Sequence, residues 1–121
     1  DSVSITFTDR ELEIMNILWD EGSATVKEAR KVVGEDTPYT SVLSIFQTLE
    51  QKGHIRHERE GRAYRYYPLV ERDEAGKEAL RYVLDRLFKG SPQALVTSLV
   101  SDGAVSDDEV EDLRSLLAER A

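Results

Sequence analysis

Four arginines, Arg56, Arg59, Arg62 and Arg65, follow one another at intervals of three around Gly61. With Lys52 they give residues 51–70 five basic groups against two glutamates, a local +3 in a chain of net charge −8. Guanidinium groups on a short ribbon suit phosphate oxygens, which they meet with paired N–H donors. Just upstream, Thr40, Ser44, Gln47 and Gln51 put hydroxyls and amides on one side of a helical stretch, with Thr48 at its margin. Small uncharged groups of this kind can reach base edges in a major groove. A reading helix followed by a phosphate-gripping ribbon is the layout with which a winged helix meets duplex DNA.

The elements that must position these residues are legible in outline. Three helix starts share the capping box: Thr8-Asp9-Arg10-Glu11, Thr25-Val26-Lys27-Glu28 and Ser106-Asp107-Asp108-Glu109. In each, a hydroxyl takes a free N–H of the first turn and a glutamate reaches back to the cap residue. Leu12, Met15, Ile17, Leu18 and Trp19 predict a first helix ending near Gly22. Val26, Ala29, Val32 and Val33 predict a short second one ending at Gly34. A third is expected from Thr40 to Lys52, stopped by Gly53, with Val42, Ile45, Phe46 and Leu49 as its buried stripe. Residues 54–58 and 62–67 read as two strands joined at Gly61, whose freedom at positive φ suits a tight hairpin. Three further amphipathic segments follow: 71–89, a stretch holding Ala94, Leu95, Val96, Leu99 and Val100, and one holding Val110, Leu113, Leu116 and Leu117.

The expected fold is therefore mostly α with a small β-hairpin. A winged helix-turn-helix over residues 1–70 is followed by a C-terminal helical element over 71–121. The second part carries seven basic and twelve acidic groups, a balance that DNA would repel, so it is expected to face protein or solvent. One small winged helix cannot bury all of its apolar stripes. A dimer that packs these helices together is the expected sink, and it would present two reading helices to two half-sites.

Other chemistries fare poorly. The chain has no cysteine, which removes disulfides, thiolate metal sites and thiol catalysis. No glycine-rich phosphate loop and no supported Ser-His-Asp pattern is present, so no enzyme and no cofactor is expected. His54 and His57 stand three apart, which on a strand sends them to opposite faces, so no metal site is expected there. The acidic run 107–112 lacks the glycine and spacing of a calcium loop and reads as negative charge at a helix start. Tyr64, Tyr66 and Tyr67 are expected to pack the hairpin on the domain, and Trp19 to be core. With no apolar run near the roughly 20 residues a membrane span needs, a cytoplasmic protein is the expectation. The competing reading is a winged helix used as a protein-interaction module without DNA binding.

Several stretches resemble the BlaI/MecI/CopY family of penicillinase-type repressors. They are Thr8 to Trp19, Val42 to Leu49 followed by Lys52-Gly53, Gly61 to Val70, and Ser106 to Leu113. The resemblance covers nearly the whole chain in the same order of parts. It implies a homodimeric repressor on a palindromic operator. Carried over by position, the operator-facing residues are Thr40, Ser41, Ser44, Gln47 and Thr48 on the third helix, with Arg62 and Arg65 of the wing at phosphates. Two departures stand out. Copper-responsive members use a cysteine-rich C-terminal site, and this chain has no cysteine. The β-lactam-responsive members have a regulatory protease as partner and are cut in the fifth helix after an Asn. The corresponding bond here falls near Ser98-Leu99, and that Asn is missing.

Overall fold

The computed structural model describes residues 7–120, so positions 1–6 and 121, the outermost residues of the two expected segments, lie outside the described residues. The element order is α1 (Asp9–Glu21), β1 (Ala24–Thr25), α2 (Val26–Val33), α3 (Tyr39–Gln51), β2 (Ile55–Glu60), β3 (Ala63–Pro68), α4 (Arg72–Leu87), α5 (Pro92–Ser101) and α6 (Asp107–Arg120). It is a winged-helix fold followed by further helices. The chain divides into two compact units, one ending at Ala79 and one beginning at Leu80. That division falls inside α4, later than the composition shift after Val70. Ala75, on the second turn of α4, is buried within the first unit.

All three capping boxes form. Thr8 Oγ1 accepts from the Glu11 N–H at 3.2 Å while Glu11 Oε1 accepts from the Thr8 N–H at 2.8 Å. Thr25 with Glu28, and Ser106 with Glu109, repeat the exchange. Gly22, at φ 87°, closes α1 with its N–H on the Leu18 carbonyl.

The sheet holds a strand that the sequence pattern did not reveal. Ala24 and Thr25 pair antiparallel with Tyr66 and Arg65, giving the strand order β1-β3-β2. Two residues are too few to show the alternation that marks a strand. The hairpin pairs Glu60 with Ala63, so its loop is Gly61-Arg62, and Gly61 lies at φ 62°. A positive φ at the first loop residue and not the second is the type II′ pattern, whose twist suits the flanking strands.

The core joins α1, α2, α3 and β3. Val42, Phe46 and Leu49 are fully buried, as are Ile14, Met15 and Leu18 of α1 and Ala29 of α2. Phe46 packs on Tyr66 with ring centroids 4.6 Å apart. Leu12 and Val32, expected on the buried stripes, are exposed instead. Trp19 is half-buried, and its indole N–H donates to the Val70 carbonyl at 2.8 Å, which fixes the exit of β3 against α1. Arg30 holds the turn before α3 by donating to the carbonyls of Thr37 (2.7 Å) and Glu35 (2.6 Å).

Glu11 joins the first helix to the end of the third. Its side chain is 5% exposed and meets Lys52 Nζ at 2.9 Å. Burial pushes this carboxyl up, but the Thr8 N–H and the Lys52 ammonium outweigh burial and hold it below its ordinary value. A carboxyl depressed in the folded state stabilises the fold at neutral pH, and the contribution is lost as pH falls through that lowered value. Lys52→Met should therefore cost about 1–2 kcal/mol near neutral pH and shift acid unfolding to higher pH. Circular dichroism across a pH series checks this; an unmoved acid midpoint would show that Lys52 does not hold Glu11.

Candidate nucleic-acid interface

Burying Val42, Phe46 and Leu49 turns the opposite side of α3 outward. Thr40, Ser41, Ser44, Gln47, Thr48 and Gln51 are all exposed. The Thr48 hydroxyl donates back to the Ser44 carbonyl at 3.0 Å, which occupies its proton and leaves its lone pairs outward. Pro38 precedes α3 and no side chain caps the helix, so its first N–H groups are available to an external acceptor. An open depression at this end is lined by Arg10, Asp36, Thr37, Thr40, Ser41 and Ser44. Arg10 thus joins the neighbourhood of the expected reading residues. Arg10 was hidden because it belongs to α1 and reaches this end only through the fold.

The hairpin sorts its side chains by strand alternation. The register pairs Ile55 with Pro68, His57 with Tyr66 and Arg59 with Tyr64, which places these six on one face. This is the face that packs on α3, since Tyr66 meets Phe46. His57 Nδ1 also bonds the Glu50 carboxylate of α3, and its ring lies 4.5 Å from that of Tyr64. Tyr64 itself is half exposed. The other face carries Arg56, Glu58, Glu60, Ala63, Arg65 and Tyr67. There Arg56 pairs with Glu58 at 2.9 Å and lies over the Tyr67 ring.

The two wing arginines expected at phosphates are placed differently. Arg62 is exposed in the hairpin loop, with no hydrogen bond or ion pair among the described residues. Arg65 is held. Its guanidinium donates to Glu60 through Nε at 2.9 Å and Nη2 at 3.1 Å. It also meets both Glu28 oxygens at 3.1 Å and Ser23 Oγ at 3.2 Å. Only 21% of its side chain is exposed. The guanidinium holds both carboxyls below their ordinary range, and they push Arg65 up in turn. Arg59, absent from the expected set, lies on the α3-facing side next to Tyr64; among the described residues only its Nε is engaged, on the Gly61 carbonyl at 3.2 Å. Strand parity with His57 was the signal that could have singled it out.

His54 is buried, with its ring 5.1 Å from that of Phe7, and burial followed by the Lys52 charge pushes it below its ordinary value. Like Tyr66, it serves packing.

Comparison with known proteins identifies relatives of the chain and of its fold. The family model described as penicillinase repressor matches residues 7–119. The chain is 35% identical over 118 residues to the transcriptional regulator BlaI of Mycobacterium tuberculosis (strain ATCC 25618 / H37Rv), covering 92% of this chain and 82% of that one. It is 25% identical over 119 residues to the methicillin resistance regulatory protein MecI of Staphylococcus aureus (strain N315), covering 97% of each. The solved DNA-binding domain of the repressor BlaI superposes with a TM-score of 0.53 at 24% identity, over 61% of this chain and 92% of that one, a likeness of fold.

Proposed function

The chain belongs to the penicillinase repressor family, and from that premise we propose that this DNA-binding transcriptional repressor works as a homodimer on a palindromic operator. The observation that carries the reading is the exposed, uncharged face of α3 beside a ribbon whose loop arginine has no partner among the described residues. In the proposed complex Ser44 and Gln47 lie at the centre of the major-groove contact. Thr40, Ser41 and Thr48 flank them, and Arg62 meets the phosphate backbone.

Support for a dimer comes from α5 and α6, in which no residue is fully buried among the described residues. Val96, Leu99, Val100, Leu113, Leu116 and Leu117 are each at least 43% exposed. Apolar stripes of this length are stable in water when a partner covers them, and a second copy is the simplest partner. Two copies also explain the modest charge of each ribbon, because linked weak contacts reinforce one another. The helices beyond Leu80 then serve dimerisation, and the chain acts without catalysis of its own in the cytoplasm.

Selection of bound duplexes from a random pool should return an inverted repeat. Ser44→Ala or Gln47→Ala should change the preferred base at one position of each half-site, by about 1–3 kcal/mol where a hydrogen bond to a base edge is removed. An unchanged base profile would remove those side chains from the reading set. For assembly, replacing Leu113 and Leu117 together by Asp should convert the dimer to a monomer in sedimentation equilibrium. A parent chain that already sediments as a monomer at micromolar concentration would refute the dimer.

A further inference from the structure

The ribbon carries cations of two kinds, and the difference has a functional meaning. Every nitrogen of the Arg65 guanidinium has a partner: Nε and Nη2 on Glu60, Nη1 and Nη2 on Glu28, and Nη1 also on Ser23. These partners come from three places. Glu60 ends β2 beside the hairpin loop, Glu28 belongs to the capping box of α2, and Ser23 precedes β1. Arg65 itself is on β3, opposite Thr25 on one side and Glu58 on the other. To reach a phosphate it would have to leave two carboxylates, each of which it meets through two hydrogen bonds of 2.9–3.1 Å. Arg59 and Arg62 have no carboxylate partner among the described residues, flank Gly61 at the tip, and are exposed. Both terminal nitrogens of Arg59 are unengaged among the described residues.

We infer that Arg65 is a positioning residue that fixes the ribbon on the β1–α2 junction, while Arg59 and Arg62 make the ribbon's phosphate contacts. The inference rests on the DNA-binding reading above and reassigns the work within it. Arginine suits the clamp because its planar fork can serve two carboxylates at once, which a lysine ammonium on a flexible stem does not reproduce. Glu28 and Glu60 set the angle at which the tip leaves the domain, and with it the reach of Arg59 and Arg62. Arg59 shares its face with Tyr64 and with the α3-packed His57, so it points its charge to the side on which the reading helix lies.

The test uses the full chain and a random-sequence duplex, because phosphate binding does not depend on the operator. Fluorescence anisotropy over a salt series gives the slope of log K against log salt, whose magnitude falls by about 0.9 for each phosphate that the protein no longer neutralises. Arg59→Gln and Arg62→Gln should each flatten the slope by that amount. Arg65→Gln should lower affinity about tenfold, because the released ribbon must be ordered on binding, with the slope unchanged because Arg59 and Arg62 still reach their phosphates once it is. Arg65→Lys, which keeps the charge, should behave like Arg65→Gln and not like the parent. Thermal melts identify any variant whose weaker binding comes from unfolding, and the tip variants, being exposed, keep the test open if Arg65 variants melt early. Recovery of parent affinity by Arg65→Lys, together with a flattened slope in Arg65→Gln, would overturn the clamp. A parent that binds while Arg59→Gln leaves the slope unmoved would overturn the assignment of Arg59 alone, and the same outcome for Arg62→Gln that of Arg62. A parent that binds no duplex at all would overturn the DNA-binding reading, and this inference with it.

Discussion

The contact between Phe46 and Tyr66 governs the rest of the first unit. One ring comes from the middle of α3 and the other from the central strand β3, and both are buried. Their packing sets how the helix lies against the hairpin. Once Phe46, Val42 and Leu49 are turned inward, Thr40, Ser44, Gln47 and Gln51 have only solvent to face. Around this contact stand smaller constraints. Arg30 fixes the turn that leads into α3, Glu11 and Lys52 tie its far end to α1, and Glu50 with His57 ties its flank to β2. The exposed polar face of α3 is thus held at both ends and along one edge.

Charge on the ribbon is governed by a mismatch of periods. Arginine recurs every third residue, whereas a strand alternates faces every second one. Arg56 and Arg59 therefore lie on opposite faces of β2, Arg62 falls in the loop, and Arg65 returns to the face of Arg56. The glutamates interleaved on that face take up Arg56 and Arg65. A local excess of +3 counted along the sequence thus becomes, in space, a neutralised outer face and a basic tip. That distribution suits an acidic repressor, since it concentrates the unpaired charge where the backbone of a duplex can be reached and suppresses it elsewhere.

The helices beyond Leu80 follow a different logic. They are capped correctly at Ser91 and Ser106, so they are locally well formed. Among the described residues none in α5 or α6 is fully buried, and Leu95 and Val110 are only partly so. Helical stability in proteins comes mostly from burying an apolar face, and the apolar stripes of these elements stay exposed. The surplus of apolar stripes was visible in the sequence for the same reason: Leu113, Leu116 and Leu117 recur at helical spacing with no core left to receive them.

Much of this protein is legible in its residues alone. Capping boxes, glycine stops and apolar periodicity are local signals, and they located every helix to within two or three residues, because backbone hydrogen bonding inside a helix depends on near neighbours. The order of helices and hairpin, the basic ribbon and the polar side of α3 were legible on the same grounds. β1 was not, since Ala24 and Thr25 become a strand only because β3 lies beside them. The surroundings of Arg65 were not either. Nothing in the sequence places Glu28, 37 positions away, within 3.1 Å of its guanidinium, and ion pairing across such a distance is decided by the packing of elements that the two residues belong to. The sequence determined which groups could meet DNA; the tertiary structure decided which of them were still unpaired to do so.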